Sequence, residues 1–182
     1  MGVLPSSWQL PDKIVKRFGT QAGKQRMMEA EGHVLLVLHA PPDAHQVDRK
    51  AALFWRAPDG AWKAGGEARS GLGGLREFLA QYKKLVAQAE QRTEQAKHAS
   101  EYFEIIQLLA PLHRASRGVH ATLQSAREAL PEERAMIELR DEAYEIERTA
   151  ELALGDAKAG LDFAIALRAE QQAELSEHIA QS

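Results

Sequence analysis

The chain has no cysteine among its 182 residues. That excludes disulfides, cysteine-ligated zinc and a thiol nucleophile, and it fits a reducing compartment. No apolar run approaches the roughly 20 residues that cross a bilayer. The N-terminal stretch MGVLPSSWQLPDK has no apolar h-region, so no signal peptide is expected, and Gly2 stands in a weak context for myristoylation. The expectation is a soluble, cytoplasmic chain. Aromatic residues are scarce, at 6%, and the basic residues are not striped with them, which disfavours nucleic acid as a partner. Nothing in the spacing argues a Ser-His-Asp triad. His33 and His39 stand too far apart for joint ligation, as do His113 and His120, and the i, i+4 histidine pair of a zinc-protease helix is absent. The reading is that this is not an enzyme.

What is present is an ordinary globular composition, 45% apolar and 27% charged, with one feature out of the ordinary. Residues 131–182 contain nothing that stops a helix except Gly155 and Gly160. As one helix they span roughly 75 Å at about 1.5 Å per residue. They hold thirteen of the 26 carboxylates but only five of the 23 Lys and Arg residues. The net charge of −3 therefore divides into −8 on this stretch and +5 on the rest. The expected consequence is that the acidic helix lies against the more basic part, in its own chain or in a neighbouring subunit.

The rest of the chain reads as two parts. Residues 1–66 suggest a small α/β subdomain. A short amphipathic helix over 11–18 carries Ile14, Val15 and Phe18 on one side and stops at Gly19. A second short helix, capped by Thr20, carries Met27 and Met28. His33–His39 is apolar, β-branched and closed by Pro41 and Pro42, so it reads as a buried strand. A polar loop over 43–49 leads to a second strand over 52–56. Pro58-Asp59-Gly60 makes a turn, and a third strand over 61–64 follows. Trp8, Trp55 and Trp62 are expected to cover this three-stranded antiparallel sheet. Residues 67–74 are glycine-rich and read as a link. Gly71-Leu72-Gly73-Gly74 precedes a helix but lacks the Lys-Ser/Thr of a phosphate loop.

From Leu75 onward, residues 75–182 read as a long-helix subdomain. Leu75, Phe78, Leu79, Tyr82, Leu85, Val86 and Ala89 recur at three and four. A polar zone over 90–97 is followed by a second apolar stripe from Phe103 to Leu130. Pro111 interrupts that stripe and predicts a kink over 107–110. Pro131, with Glu132 and Glu133 after it, suits the first turn of the last helix. A seam of mostly small residues then runs through Met136, Leu139, Ala143, Ile146, Ala150, Ala153, Ala157, Gly160, Ala164 and Leu167. It buries little area per residue and needs helices on both sides. The fold class is α+β, a small sheet with two short helices packed on two or three long antiparallel helices, the last of about 45–50 residues.

One set of residues is a candidate metal site. Glu138, Asp141, Glu142 and Glu145 stand at i, i+3, i+4 and i+7, on a face about 120° from the seam at ~100° per residue. Hydrated Mg2+ takes one or two carboxylates and keeps several waters, so such a stripe can hold it, best of all between subunits. Glu170, Glu174 and Glu177 repeat the pattern. A solvated charged face, with ion pairs such as Arg134 with Glu138, is the more economical account. His113 and Arg114, with Arg117, suit pairing with the acidic helix better than an anion site.

The second half resembles the cytoplasmic portion of CorA-type divalent-cation transporters, a family with zinc-transporting relatives. The stretches that carry the likeness are Leu109-Ala110-Pro111-Leu112-His113-Arg114 and Leu123-Gln124-Ser125-Ala126-Arg127-Glu128-Ala129-Leu130. Leu139-Arg140-Asp141-Glu142-Ala143-Tyr144-Glu145-Ile146-Glu147-Arg148 adds to it, as does the final segment from Leu161-Asp162-Phe163-Ala164 to Ile179, similar to the family's stalk helix. The resemblance implies a homo-oligomer, five-fold in the family, with the long helices directed at the cytoplasmic face of the inner membrane. It also implies packing that responds to Mg2+ and a membrane-spanning part of the same protein as partner. The family's Gly-Met-Asn pore signature and its two spans are absent, so these residues do not themselves conduct ions. They suit a regulatory domain cut just before the membrane. A free-standing helical interaction protein that pairs through the small-residue seam is the alternative.

Overall fold

Four antiparallel strands form a meander in which each strand pairs with its sequence neighbour. They are β1 (Arg26–Ala30), β2 (His33–His39), β3 (Ala51–Arg56) and β4 (Trp62–Gly66). Helix α1 (Asp12–Phe18) precedes them, and α2 (Gly71–Gln95), α3 (Ala99–Ala129) and α4 (Ala135–Gln181) follow. This computed structural model describes residues 3–43, 49–68 and 70–182. Most of the loop expected over 43–49 lies outside the described residues.

The α+β class and the expected span of β2 hold. The sheet has four strands and not three, because the segment expected to be a second short helix is β1. Arg26, Met27, Met28, Glu29 and Ala30 are good helix formers, and five residues are too few for propensity to prevail over a partner. Met27 pairs with Leu36, Met28 with Leu35 and Ala30 with His33. The connection is a two-residue turn in which Glu31 (φ 52°) and Gly32 (φ 81°) both take positive φ. Such turns match the twist of a hairpin. The body therefore has one short helix, α1, in place of two.

Both faces of the sheet are covered. Val34, Leu36, Leu38, Ala52 and Phe54 point into the main core with Leu75, Phe78 and Tyr82 of α2 and with α3. Leu35, Val37, Leu53 and Trp55 point the other way, onto Ile14 and Phe18 of α1. Burial on two faces is why β2 and β3 are almost continuously apolar and do not alternate. Leu35, Leu36, Leu38 and Leu53 have no exposed surface, and each such side chain stabilises the fold by about 1.5–3 kcal/mol relative to an exposed one. Trp8 and Trp55 meet on the α1 side with ring centroids 5.3 Å apart, whereas Trp62 packs against the main core on the opposite side.

The helical period over 75–130 divides into two helices. α2 ends at Gln95, and the chain turns through 96–98 without glycine or proline. Glu101 closes the turn by accepting the backbone N–H of His98 at 3.1 Å, and the Tyr102 hydroxyl donates to the Ala96 carbonyl at 2.8 Å. α2 begins at Gly71, ahead of Leu75, so the later part of the residues read as a link, Gly71 to Gly74, forms its first turn. α3 passes through Pro111 as one continuous helix. Pro131 does not open α4: it sits in the turn before it, and α4 starts at Ala135.

Candidate functional site

α4 has 47 residues, about 70 Å at ~1.5 Å per residue. Its first half is packed. Met136, Leu139, Ala143, Ile146, Ala150, Ala153 and Ala157, all residues of the seam, are buried against α2 and α3. The small side chains let the helices approach closely, and Leu75-to-Leu130 positions on α2 and α3 supply the bulk opposite. Gly160 continues this logic. A Cβ there would overlap the ring of Tyr102 on α3, so the glycine admits an aromatic ring that alanine would displace.

Beyond Gly160 the packing stops. Residues 165–182 are all exposed. Phe163 is 70% exposed, Leu175 60% and Ile179 63%. Amphipathic helices bury their apolar side chains, and here large apolar side chains go on with nothing of their own chain upon them. Among the described residues no helix is long and apolar enough to cross a membrane.

The four candidate metal-binding carboxylates divide. Glu142 and Glu145 join Glu90 of α2 in a groove between α2 and α4, which Lys83 also lines. Lys83 Nζ lies 3.3 Å from Glu142 Oε1. Glu138 and Asp141 are outside that groove. Asp141 is held by Arg140, with Nη2 at 2.9 Å, and the same guanidinium donates to Gln124 of α3 at 3.3 Å. Among the described residues no group of three or more His, Asp or Glu side chains converges closely enough to hold a metal. The expected pair of Arg134 with Glu138 does not form among the described residues.

The basic side of α3 meets the acidic helix at a different residue from those expected. His120 Nδ1 donates to Glu147 Oε2 at 2.6 Å, and its ring lies edge-on to Tyr144 at 5.4 Å. Arg114 and Arg117 form no ion pair among the described residues. A further cross-link ties the sheet to the α3–α4 turn, Arg56 Nε to Glu133 Oε2 at 3.2 Å. The two strand-end histidines have separate structural partners. His33 Nδ1 accepts the indole N–H of Trp55 at 3.1 Å, and His39 Nε2 donates to the Gly23 carbonyl at 2.6 Å.

A small meander covered by two long helices, with a third that leaves the body, is an arrangement with a solved counterpart. The structure of the ZntB cytoplasmic domain from Vibrio parahaemolyticus superposes with a TM-score of 0.72 over 88% of this chain and 80% of that one. The two are 12% identical, so the likeness is one of fold. No family model matches the sequence, and no curated protein matches it either.

Proposed function

We propose that this chain is the cytoplasmic regulatory domain of a CorA-like divalent-cation transporter, with α4 as the lever that links the body to a membrane-spanning part. The observation that carries the reading is the set of exposed apolar side chains on the outer part of α4, at Phe163, Ile165, Leu167, Leu175 and Ile179. An isolated chain gains nothing by holding them in water. The fold it shares with the ZntB cytoplasmic domain supports the same reading.

In this account the chain is a homo-oligomer whose outer α4 segments pack on one another. The net −8 of residues 131–182 then sets carboxylates of adjacent subunits in mutual repulsion. Hydrated Mg2+ that takes one carboxylate of the acidic stripe, Glu138 or Glu145, neither of which forms an ion pair among the described residues, and further groups from the next subunit relieves it. Because the closed arrangement binds the ion better than the open one, Mg2+ shifts the population toward it. A role of this kind involves no catalytic step.

Sedimentation with and without millimolar Mg2+ tests the proposal. A rise in mass together with a rise in thermal stability is the expected result. Mass and stability both unchanged by Mg2+ would remove the regulatory role. The gene supplies a second check, since the transporter reading requires two apolar segments of about 20 residues encoded after residue 182, with Gly-Met-Asn following the first.

A further inference from the structure

The end of β2 meets α3 at a cavity of about 330 Å3, near the lower end of the roughly 300–1,000 Å3 range of small-molecule sites. Three stretches distant in sequence bring cations to its wall: Lys24 ahead of β1, Arg49 and Lys50 ahead of β3, and Arg114 on α3. None of these four forms an ion pair among the described residues. Asp43, on the same wall, is itself engaged in an interaction. Like charges gathered at a partly enclosed, low-dielectric wall focus a positive potential that draws in anions. His39 lies at the base of the cavity. Its pKa is held below the usual histidine value chiefly by burial, with smaller contributions from Arg49 and Arg26, against the opposing effect of its hydrogen bond to Gly23.

The floor is rigidly built. Gln25 Oε1 accepts the backbone N–H of His39 at 2.9 Å, and Gln25 Nε2 donates to the Ala115 carbonyl of α3, also at 2.9 Å. The Tyr82 hydroxyl of α2 donates to the His39 carbonyl at 2.6 Å. One half-buried amide thus joins the segment before β1, the end of β2 and α3, and a tyrosine ties in α2. Gly118 makes room for it, because a Cβ there would strike the Gln25 amide. A site fixed this way loses little entropy when a ligand binds. Pro41, Pro42 and Pro111 give the wall an apolar portion.

We propose that this cavity binds a small phosphate-bearing metabolite, with its phosphate oxygens on Lys24, Arg49, Lys50 and Arg114 and its body against the prolines. Phosphate suits the site better than a lone carboxylate for two reasons. Four cations against the single carboxylate of Asp43 leave an excess that calls for more than one negative charge, and a guanidinium fork matches phosphate oxygens in bidentate fashion. The cavity volume excludes a folded partner or a nucleic-acid strand. The inference stands whether or not the chain belongs to a transporter.

Titration of the full chain with inorganic pyrophosphate at about 0.15 M salt, where exposed charges are screened beyond ~8 Å, provides the test, read by amide chemical shifts. The expected result is a saturable, single-site response centred on residues 24–25, 39–43, 49–50 and 111–118. Arg114→Gln and Lys24→Gln should each weaken it about tenfold or more, the loss of one charge-assisted hydrogen bond, while Lys13→Gln on α1 leaves it unchanged. Lys24 and Arg114 are exposed and form no ion pair among the described residues, so these variants are expected to fold. Several results would overturn the proposal: a response that does not saturate, one that Arg114→Gln leaves intact, or one that sulfate reproduces at the same concentration. Binding to phosphatidylglycerol vesicles with no response to pyrophosphate would assign the cations to a lipid surface and would equally overturn it.

Discussion

The two halves of α4 have similar propensity for helix but opposite surroundings. Over 135–157 the seam residues are buried between α2 and α3, and a larger side chain at any of them meets a neighbour. Over 165–182 every residue faces solvent, although Ile165, Leu167, Leu175 and Ile179 are as apolar as those inside. The inner half is stable because it is packed. The outer half is a helix extended from that base, since propagation adds a hydrogen bond for each residue fixed once the costly nucleus is in place. Its apolar side chains contribute almost nothing until a partner covers them.

The sharpest way to break this comparison is to truncate one leucine in each half. Leu139→Ala should destabilise the chain by about 2–5 kcal/mol, the usual result for a buried leucine, read as a lower urea midpoint. Leu175→Ala should change the stability of the dilute chain by less than ~0.5 kcal/mol and should act on self-association instead. A large loss of monomer stability in the second variant would mean that the outer half packs on the body.

The glycines give the next contrast. Gly160→Ala sets a methyl group against the ring of Tyr102, whose hydroxyl is anchored on the Ala96 carbonyl. Overpacking of this kind costs about 1–3 kcal/mol, which outweighs the gain in helix propensity. Gly155 has open space at its Cβ position, so Gly155→Ala should stabilise by about 0.5–1 kcal/mol. Thermal melts of the two variants should move in opposite directions.

His39 offers a pH-dependent contrast between the body and the rod. Its folded-state pKa is lowered, chiefly by burial, so between the folded and unfolded values the unfolded chain binds more protons. Stability contributed by keeping this imidazole neutral is present above the unfolded pKa of ~6.5 and is lost as pH falls below it. His39→Gln should flatten that acid-side slope, measured as urea midpoints between pH 5 and 7.5. A small effect is also expected at the exposed pair of Lys83 and Glu142. Lys83→Met should alter stability by no more than ~1 kcal/mol.

How much of this the sequence carried depended on whether the determining contact was local. The span of β2 was legible because glycine and proline bound a β-branched run. The buried part of the seam was legible, residue by residue to Ala157, because helical periodicity is a local property. β1 was not legible, because Arg26–Ala30 favours helix alone and becomes strand only through its pairing with β2. The polar zone over 90–97 left two or three long helices open, and the turn that decides for three is closed by a side chain, Glu101, and not by a glycine or proline. Pro131 suited a first turn, yet the chain uses it in the preceding turn. The cationic cavity draws on Lys24, Arg49 and Arg114, which no spacing rule connects. The pairing of His120 with Glu147, in place of Arg114 or Arg117, depends on the facing of α3 and α4.

Amide hydrogen exchange along α4 as a function of protein concentration addresses the central claim most directly. The account predicts strong protection over 135–157 at every concentration. Over 165–181 it predicts fast exchange in the dilute chain and slow exchange once the chains associate. Protection over 165–181 equal to that of the inner half in the dilute monomer, or unchanged by association, would contradict it.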